Sequence, residues 1–396
     1  MDRLVLPDNL TLIIADAPPL AGLRQRAQQL ALRFAGILAA GDRERGSVWY
    51  FDEPGNLLTV FISPEKPLAN LWSWLSGPRV TPGGIRRFIP PASLPFAYHS
   101  ASINRWNHLW YRIALGSRFR PSEGPVVLIV CNVLGLGWLG RLGEDVAIYD
   151  CADEISQFRQ ARVSPGAVRA QERALLKRVD AVVTTSQGLY DAKSAYARRA
   201  VLIRNAAEIE HFARAHTPTA RPPDIANLKK PIVGFYGFLA DWLDWPLIKM
   251  VVREGKEFDW VFIGPATRSL RSLEKLPNFH ALGRKPYEEL PAYLAHFSCA
   301  HIPFARTKLT KYVNPVKLYE YLAAGVPVVA TPLPELQAFE DVCALAETAD
   351  DYLEAVRHEV FSYSAERRAE RLARVAGETW DARVGEYCGL IRELVG

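Results

Sequence analysis

Short runs of apolar residues alternate with longer amphipathic stretches along the chain. In the first half, runs rich in Val and Ile have the length and composition of strands that are buried on both faces of a parallel sheet. An amphipathic helix is predicted at residues 24–41, where Ala27, Leu30, Phe34 and Leu38 share one stripe. The predicted strands are residues 10–16, 48–52, 57–62, 126–132, 146–150, 181–186 and 200–205.

A second series of strands and helices begins after a polar, proline-containing stretch at residues 216–231. Alternation in both halves predicts an α/β fold of two Rossmann-like, parallel-sheet domains that face a central cleft. We place the N-terminal domain at residues 1–205, the C-terminal domain at 206–379 and a terminal helix at 380–396. That helix either ends the chain as a plain amphipathic helix or packs back on the N-terminal domain. The strands and helices predicted in the second half are residues 231–239, 247–255, 259–265, 279–283, 287–297, 299–304, 316–325 and 326–331.

A glycine motif at residues 135–140 has the Gly-X-Gly-X-X-Gly pattern of a dinucleotide site and follows a predicted strand. Asp153 lies near the spacing expected for an acid that binds ribose. However, the next strand begins at about Val146, and a parallel crossover needs roughly a dozen residues or more. We therefore interpret the glycines as tight turns around a short helix and not as a redox cofactor site.

Composition narrows the function classes. Hydrophobic residues make up 49% of the chain and charged residues 23%, which is typical of a folded protein, and the net charge of +5 is too small to indicate a general nucleic-acid coat. The five cysteines are dispersed without a Cys-X-X-Cys pair, which favours reduced thiols in the cytoplasm over a disulfide framework or a zinc site. Because no uncharged run is long enough to cross a bilayer, we expect a cytoplasmic protein, free or peripheral on the inner face of the plasma membrane.

The most informative segment is residues 314–330, NPVKLYEYLAAGVPVVA. Asn314 is a good N-cap and Pro315 suits the first helical position, so a helix is predicted to start here. The backbone N–H groups of the next two residues, Val316 and Lys317, would then face the end of the preceding strand, where a helix N-terminus favours a phosphate. Glu320, one turn after the lysine, can accept hydrogen bonds from a sugar diol. The alternative is an ordinary helix whose lysine and glutamate form a solvated pair.

This segment resembles the donor-site signature of GT-B glycosyltransferases, close to the family-4-like bacterial enzymes that build polysaccharides. The resemblance continues in residues 233–237, 262–265, 282–287 and 149–154, and more loosely in 24–30. It implies the GT-B fold and a transferase whose nucleotide-sugar, UDP-linked by analogy, is held mainly by the C-terminal domain. The acceptor would be held by the N-terminal domain.

The resemblance also implies roles for individual residues. Glu320 would bind the ribose hydroxyls, and Val316 and Lys317 would meet the diphosphate through backbone amides, with the lysine side chain adding a charge. Gly237 would let the backbone approach the phosphates, because a side chain there would clash, and Arg284 would lie beside the base. The complete donor-binding set is Asn314, Val316, Lys317, Glu320, Tyr236, Gly237, Arg284 and Tyr312.

The sequence departs from the family pattern at two places. Tyr312 stands where many of these enzymes carry a first glutamate that contacts the donor sugar. Residues 238–244 contain no basic residue, although many of these enzymes have a basic pair there for the diphosphate. Lys317 would therefore have to neutralise the leaving group. Further cations that could help it are Arg306, Lys308 and Lys311.

Sugar transfer needs a site that stabilises the negative charge developing on the leaving diphosphate. Lys317 and the helix N-terminus can do this without a metal, and no Asp-X-Asp sequence is present, so we expect neither a metal nor a cofactor. An inverting enzyme also needs a base for the acceptor hydroxyl, for which Asp153 is the first candidate, Asp150 the second and Glu154 the third. Alternatively, these acids cap the following helix, and the sequence is compatible with inversion and with retention.

Between Lys66 and Arg120 the chain has no Asp or Glu, while arginines and tryptophans, Trp72 and Trp74 among them, are interleaved. Basic residues with interfacial aromatics suit an anionic membrane surface or a polyprenyl-diphosphate-linked acceptor. Binding to nucleic acid is not expected, because no RNA-binding motif accompanies them. The alternative is an insertion with buried tryptophans and solvated arginines. The residues assigned to this acceptor or membrane surface are Arg86, Arg87, Trp106 and Trp110.

The leading hypothesis is a glycosyltransferase that moves a sugar from a nucleotide-sugar to a glycan or lipid-linked acceptor in bacterial polysaccharide biosynthesis. A catalytically silent GT-B subunit that binds a partner or a glycan is a second hypothesis, which the missing glutamate and the missing basic pair favour. A sugar-nucleotide epimerase on the same architecture is a third. An epimerase would convert the donor without any acceptor, whereas a silent subunit need not bind UDP.

Overall fold

The computed structural model describes residues 6–20, 24–40, 46–57, 77–157, 164–217 and 220–396. The chain divides into two compact units. Unit 1 comprises Met1–Arg204 together with Arg383–Gly396, and unit 2 comprises Asn205–Ala382. Each unit has one sheet and its own hydrophobic core.

The described residues of unit 1 form an eight-stranded sheet with the order β3-β4-β2-β1-β5-β6-β7-β8. Neighbouring strands are parallel except β3 and β4, which are antiparallel. The strands are β1 (Thr11–Ala17), β2 (Ser47–Asp52), β3 (Arg79–Val80), β4 (Arg86–Phe88), β5 (Val126–Val130), β6 (Val146–Cys151), β7 (Ala181–Thr184) and β8 (Ala200–Leu202). The α-helices in the described part of unit 1 are α1 (Arg26–Ala40), α2 (Ala101–Leu115), α3 (Pro165–Leu176) and α4 (Gln187–Lys193).

The apolar runs of unit 1 form the strands that they predict, because a strand covered on both faces requires apolar side chains at every position. All residues of β1, β5 and β6 are buried. The strand predicted at residues 57–62 lies outside the described residues apart from Leu57, and Lys66, Trp72 and Trp74 also lie outside them.

The glycine motif forms the predicted turns around a short helix, a 3-10 helix at Val133–Gly137. Its glycines allow close packing: a Cβ on Gly137 would stand 2.2 Å from Nδ1 of His108, and one on Gly135 would stand 2.5 Å from Cβ of Val130. These glycines are therefore used for contact within unit 1.

Unit 2 has a six-stranded, fully parallel sheet with the order β11-β10-β9-β12-β13-β14. The strands are β9 (Ile232–Tyr236), β10 (Asp259–Ile263), β11 (Phe279–Ala281), β12 (Phe297–Ile302), β13 (Val328–Ala330) and β14 (Ala344–Leu345). The helices are α5 (Ile209–Ala213), α6 (Trp245–Glu254), α7 (Leu290–Leu294), α8 (Val316–Ala323), α9 (Ala349–Phe361) and α10 (Ala365–Val375). The helix predicted at residues 287–297 is shorter than expected, because a 3-10 turn at Tyr287–Glu289 precedes α7.

The last helix, α11 (Trp380–Val395), begins at the end of unit 2 and continues into unit 1. Its apolar side chains at Val384, Tyr387, Cys388 and Ile391 belong to the hydrophobic core of unit 1. The two sheets give the α/β class of two Rossmann-like domains that the sequence predicts. Within the described part of the chain, no helix is both long and apolar enough to span a bilayer.

Candidate functional site

Three glycine-containing turns lie side by side after the parallel strands β9, β10 and β11 of unit 2. The N–H of Gly237 donates to the carbonyl of Ile263 at 2.8 Å, and the N–H of Gly264 donates to the carbonyl of Gly283 at 2.7 Å. Gly264 has φ +140°, and a Cβ there would stand 1.9 Å from the carbonyl oxygen of Gly237. Only glycine allows the two turns to approach so closely. The carboxyl edge of this sheet is where open α/β sheets bind ligands.

Gly237, with φ +139°, also makes room for a lysine. A Cβ at this position would stand 2.2 Å from Cε of Lys317, so the lysine side chain lies across the glycine. The ammonium of Lys317 lies 5.7 Å from the centre of the Phe235 ring, within the range of a cation–π contact. Gly237 is thus required by the lysine, as well as by any approach of a phosphate to the backbone.

The helix α8 begins at Val316, and its N-cap is Pro315, with no side-chain cap. The predicted N-cap role of Asn314 is therefore wrong. The Oδ1 atom of Asn314 accepts from the backbone N–H of Asn205 at 3.0 Å, while its Nδ2 atom donates to the hydroxyl of Tyr319 at 2.9 Å. These bonds hold the side chain inside unit 2, so Asn314 positions the start of α8 but does not cap it.

Glu320 lies one turn into α8 and is only 6% exposed. The hydroxyl of Tyr236 donates to its Oε2 atom at 2.7 Å. Burial raises the pKa of Glu320 to about 7, although this hydrogen bond and the charge of Lys317 act in the opposite direction. The alternative of a solvated lysine–glutamate pair is therefore wrong for the glutamate.

Two further residues of the predicted donor set lie on loops. Arg284 is exposed directly after Gly283, which has φ +66°, while its neighbour Lys285 forms an ion pair with Asp224 at 2.5 Å. Tyr312 is half-buried at the end of a short 3-10 helix. Of the auxiliary cations, Arg306 lies 3.6 Å from Glu347, and Lys308 and Lys311 are exposed.

The acids predicted as bases in unit 1 differ sharply in their surroundings. Asp150 is 2% exposed, and both of its oxygens accept from Nε of Arg26, at 2.9 and 3.0 Å. The hydroxyl of Tyr387 donates to the same carboxylate at 2.7 Å. Asp150 is thus engaged in an internal network of unit 1, and its role as a general base stays a prediction.

Glu154 is also held internally. Its carboxylate accepts from the ammonium of Lys193 and from the hydroxyl of Ser156, both at 2.6 Å. Lys193 also donates to the buried Glu172 at 2.6 Å. Asp153, in contrast, is exposed and lines a cavity of unit 1.

This cavity has a volume of about 270 Å³. Besides Asp153 it is lined by Asp16 and Glu53, which end or follow the strands β1 and β2, and by Tyr98 and Asn132. Neither Asp16 nor Glu53 is among the site residues predicted from the sequence. The signal for both was available, because each follows an apolar run that predicts a parallel strand.

The basic and aromatic residues predicted as an acceptor or membrane surface separate into two groups. Arg87 donates to Asp52 through Nε at 3.1 Å and Nη2 at 2.5 Å, and Arg86 lies over the ring of Trp49. Arg87 is thus paired with an acid of its own unit, and its assignment to an acceptor or membrane surface stays a prediction. Trp106 and Trp110, in contrast, are 66% and 47% exposed on α2.

Residues 230–358 match the family model "Glycosyl transferases group 1". This segment, which holds most of unit 2, is thus similar in sequence to the group 1 glycosyltransferases. A protein named as a teichuronic acid biosynthesis glycosyltransferase, TuaH of Bacillus subtilis (strain 168), is 29% identical over 212 residues. That match covers 48% of this chain and 51% of the relative, so the chain spans about half the length of this curated protein.

Solved GT-B structures match nearly the whole chain at low sequence identity. Sucrose-phosphate synthase from Thermosynechococcus elongatus has a TM-score of 0.68 at 17% identity, with 97% of this chain and 99% of that chain covered. The UDP-forming α,α-trehalose-phosphate synthase from Burkholderia vietnamiensis has a TM-score of 0.66 at 12% identity, with 97% and 100% covered. Anabaena Alr3699/HepE, solved in complex with UDP and glucose, has a TM-score of 0.60 at 14% identity, with 97% and 99% covered. These similarities confirm the predicted fold class.

Proposed function

We propose that this chain transfers a sugar from a nucleotide-sugar, UDP-linked, to a hydroxyl of a glycan or lipid-linked acceptor in bacterial polysaccharide biosynthesis. The observation that carries the proposal is the arrangement of Lys317 across Gly237, one helical turn from Glu320 and its partner Tyr236. One cation, one helix N-terminus and one carboxylate lie together at the carboxyl edge of the unit 2 sheet. This combination suits the diphosphate and the ribose of a nucleotide.

Lys317 and the start of α8 account for the leaving group. The first N–H groups of a helix have no acceptor within the helix, and its dipole favours negative charge at this end. Lys317 adds a full positive charge on a stem that lies against Gly237. Both favour a diphosphate more strongly as it leaves than before the glycosidic bond breaks, and the transfer we propose therefore requires no metal.

In this proposal, Glu320 binds the ribose of the nucleotide. The hydroxyl of Tyr236 occupies one oxygen of the carboxylate and fixes its direction. A ribose diol can donate hydrogen bonds to such a carboxylate, which is a stronger acceptor than a neutral group. Arg284, exposed after Gly283, is the candidate for contact with the base. Tyr312 takes the place of the family's first glutamate.

Calorimetric titration with UDP and a transfer assay test the donor site. We expect Lys317→Ala to lower the transfer rate by about 100-fold, because one preorganised charge is lost. Glu320→Ala should weaken UDP binding by about 1.5–3 kcal/mol. Lys275→Ala removes an exposed lysine elsewhere in unit 2 and should change neither quantity. Wild-type rates in both site variants would refute the assignment.

The same measurements separate the other two functions. A protein that binds no UDP but folds normally would be a silent GT-B subunit. Conversion of the UDP-sugar in the absence of any acceptor would indicate an epimerase. We expect UDP to bind and the sugar to remain on the nucleotide until an acceptor is added.

Unit 1 would supply the acceptor side. Asp153 is the predicted acid that lines the cavity, and it is the base that an inverting reaction would use. In a retaining reaction the same carboxylate would position the acceptor hydroxyl. Asp153→Asn should therefore lower the transfer rate while UDP affinity stays at the wild-type value, and a loss of UDP affinity would contradict an acceptor role.

We also propose that α2 lies on an anionic membrane surface. Trp106, Leu109, Trp110 and Ile113 are exposed with a spacing of three and four residues, so they form one apolar face of the helix, here called the α2 face. The helix has no acidic residue, and Arg105 is exposed beside the face. Tryptophans with neighbouring arginines match the boundary between acyl chains and anionic headgroups.

Vesicle flotation tests this surface. The protein should float with vesicles of phosphatidylcholine and phosphatidylglycerol, and much less with phosphatidylcholine alone. Trp106→Ser together with Trp110→Ser should abolish flotation. Phe361→Ser, which removes an exposed aromatic residue from unit 2, is the matched control and should leave it intact. Equal, negligible flotation with both vesicles would overturn the membrane proposal without affecting the donor site.

A further inference from the structure

The cavity of unit 1 lies where four parallel strands end. Asp16 lies near the end of β1, Glu53 follows β2, Asn132 follows β5 and Asp153 follows β6. The cavity therefore occupies the edge of the sheet where open α/β sheets bind small molecules. Its volume of about 270 Å³ approaches the lower end of the range for small-molecule sites.

Carboxylates dominate the charged groups of this cavity. Asp16, Glu53 and Asp153 line it, whereas none of its described lining residues is Lys, Arg or His. Asp16 contacts one base, His108, which is buried at 2% exposure and has Nε2 3.3 Å from this carboxylate. The other ring nitrogen of His108 is 2.9 Å from the carbonyl of Asn104.

The cavity also offers a hydrogen-bond donor. The hydroxyl of Tyr98 accepts from Nδ2 of Asn132 at 2.8 Å, which leaves the phenolic proton to be donated elsewhere. Burial raises the pKa of Tyr98, so the hydroxyl keeps this proton at neutral pH. One O–H donor among several carboxylate acceptors complements a polyol, whose hydroxyls donate and accept.

Resting on the proposed function, we propose that the acceptor sugar that enters this cavity carries no negative charge. A neutral or amino sugar can donate its hydroxyls to Asp16, Glu53 and Asp153 and accept from Tyr98. A uronic acid or a sugar phosphate would instead bring an anion beside Asp16 and Asp153, and beside Glu53, whose pKa is raised to about 7 by burial and by the charge of Asp16. Like-charge juxtaposition disfavours binding strongly. In a lipid-linked acceptor, the diphosphate would then remain outside the cavity.

The experiment measures binding of three probes of similar size to the full chain by saturation-transfer NMR, without nucleotide. The probes are methyl β-D-glucopyranoside, its uronic acid counterpart and glucose 6-phosphate. We expect the neutral pyranoside to bind at least about ten-fold more tightly than either anion. Equal affinities, tighter binding of an anion or no binding of the neutral pyranoside would overturn the proposal.

Substitutions of the cavity acids test whether the preference for the neutral sugar arises in this cavity. At pH 8, above the pKa of about 7 to which burial and the charge of Asp16 raise Glu53, the cavity carries its full negative charge. At this pH, Glu53→Gln combined with Asp16→Asn should narrow the preference for the neutral probe several-fold, because two of the three charges are removed. Glu123→Gln, an exposed acid of unit 1 outside the cavity, is the control and should leave the preference unchanged. Should Asp16→Asn disturb folding, Glu53→Gln alone should still narrow it, and an unchanged preference there would refute the assignment.

The proposed donor site and the proposed preference for a neutral sugar are tested independently of each other. Because the probes are titrated without nucleotide, the sugar preference is measured whether or not UDP binds. Absence of UDP binding with a retained preference would overturn the proposed transferase while keeping a neutral-sugar site. UDP binding without any preference would leave the transferase intact and overturn this inference alone.

Discussion

The carboxyl group of Glu320 is buried, but its proposed role in binding ribose requires the ionised form. Burial raises the pKa of this group to about 7, so near neutral pH the carboxyl is partly protonated. A ribose diol that donates hydrogen bonds favours the ionised form, and binding therefore competes with the proton. At pH values below 7 the proton must leave before the diol can bind well, and the affinity for a nucleotide must fall as the pH falls.

We predict that UDP affinity rises by about ten-fold between pH 6 and pH 8 through this group. Glu320→Gln carries no titratable proton and should lack that part of the increase. Calorimetry of both proteins across this pH range measures the difference, in which titration of the UDP phosphate cancels. Parallel pH profiles in the two proteins would show that the Glu320 carboxyl is not coupled to the nucleotide.

His301 illustrates the cost of a buried polar ring with no partner. It is 0% exposed, and neither ring nitrogen has a hydrogen-bond partner among the described residues. Its ring lies 5.3–6.1 Å from those of Phe235, Trp260 and Phe262. Burial lowers its pKa to about 3. Below about pH 6.5, His301 binds a proton in the unfolded chain but not in the folded chain. Unit 2 therefore loses stability as the pH falls from 6.5 towards 3.

His301→Phe should therefore stabilise unit 2. We expect a gain of about 1–3 kcal/mol at pH 7, where an unsatisfied ring is removed. At pH 5 the gain should be larger by about 2 kcal/mol, because the proton uptake of the unfolded state is also removed. Urea unfolding at the two pH values measures both numbers. His358→Phe changes an exposed histidine of α9 and should stay within about 0.5 kcal/mol of wild type. An equal gain at both pH values would contradict the titration of His301.

At the scale of elements, α11 is tied to unit 1 through a network of three side chains. The hydroxyl of Tyr387 donates to Asp150 at 2.7 Å and accepts from Nη2 of Arg26 at 3.1 Å. The ring of Tyr387 is fully buried and meets Phe34 edge-on at 6.2 Å. The last helix, the first helix and β6 are thus joined by polar contacts as well as by the apolar core.

Tyr387→Phe should lower the free energy of unfolding of unit 1 by about 1.5–3 kcal/mol, because it removes hydrogen bonds to charged groups and keeps the ring. Thermal or urea unfolding followed by tryptophan fluorescence measures the change. Tyr363→Phe, at an exposed tyrosine of unit 2, is the matched control and should have no measurable effect. A wild-type stability in the Tyr387 variant would mean that the network contributes specificity but no stability.

The same network shows which features the sequence could predict. Apolar runs such as residues 126–130 and 232–236 predict buried strands, and in the structure all their residues are buried. Asp150 could not be assigned in this way. Its partners Arg26 and Tyr387 lie 124 and 237 residues away, and in sequence it resembles the exposed Asp153. Local pattern thus finds elements, while the state of a carboxylate depends on contacts between distant elements.

In the candidate site, too, residues within one element could be predicted from the sequence, whereas contacts between distant elements could not. Lys317 and Glu320 were found because one helix carries both, at a spacing of one turn. The role of Asn314 was missed, since its acceptor atom is used by Asn205, 109 residues away. Asp16 and Glu53 each lie at the end of a predicted strand, but only the sheet order, which places β1 beside both β2 and β5, brings them into one cavity.

At the scale of the whole molecule, each unit has its own hydrophobic core, and the residues of the two cores do not overlap. Residues 383–396 follow unit 2 in sequence but contribute side chains to the core of unit 1. Unfolding of unit 1 must therefore release the end of the chain as well as its beginning. Two cores of this kind favour two calorimetric transitions instead of a single two-state one.

Ligand binding should distinguish the two transitions. UDP at about 100 times its dissociation constant stabilises the unit that binds it by about 2.7 kcal/mol, so calorimetry should show one transition moving to higher temperature while the other stays. The moving transition should be the one that His301→Phe raises, and the fixed one should be the one that Tyr387→Phe lowers. Lys317→Ala should reduce the rise in transition temperature that UDP causes. Without ligand, the same substitution should change the temperature of either transition by a much smaller amount. If UDP instead moved the transition sensitive to Tyr387, the nucleotide would be held by unit 1, and the donor site would have to be sought there.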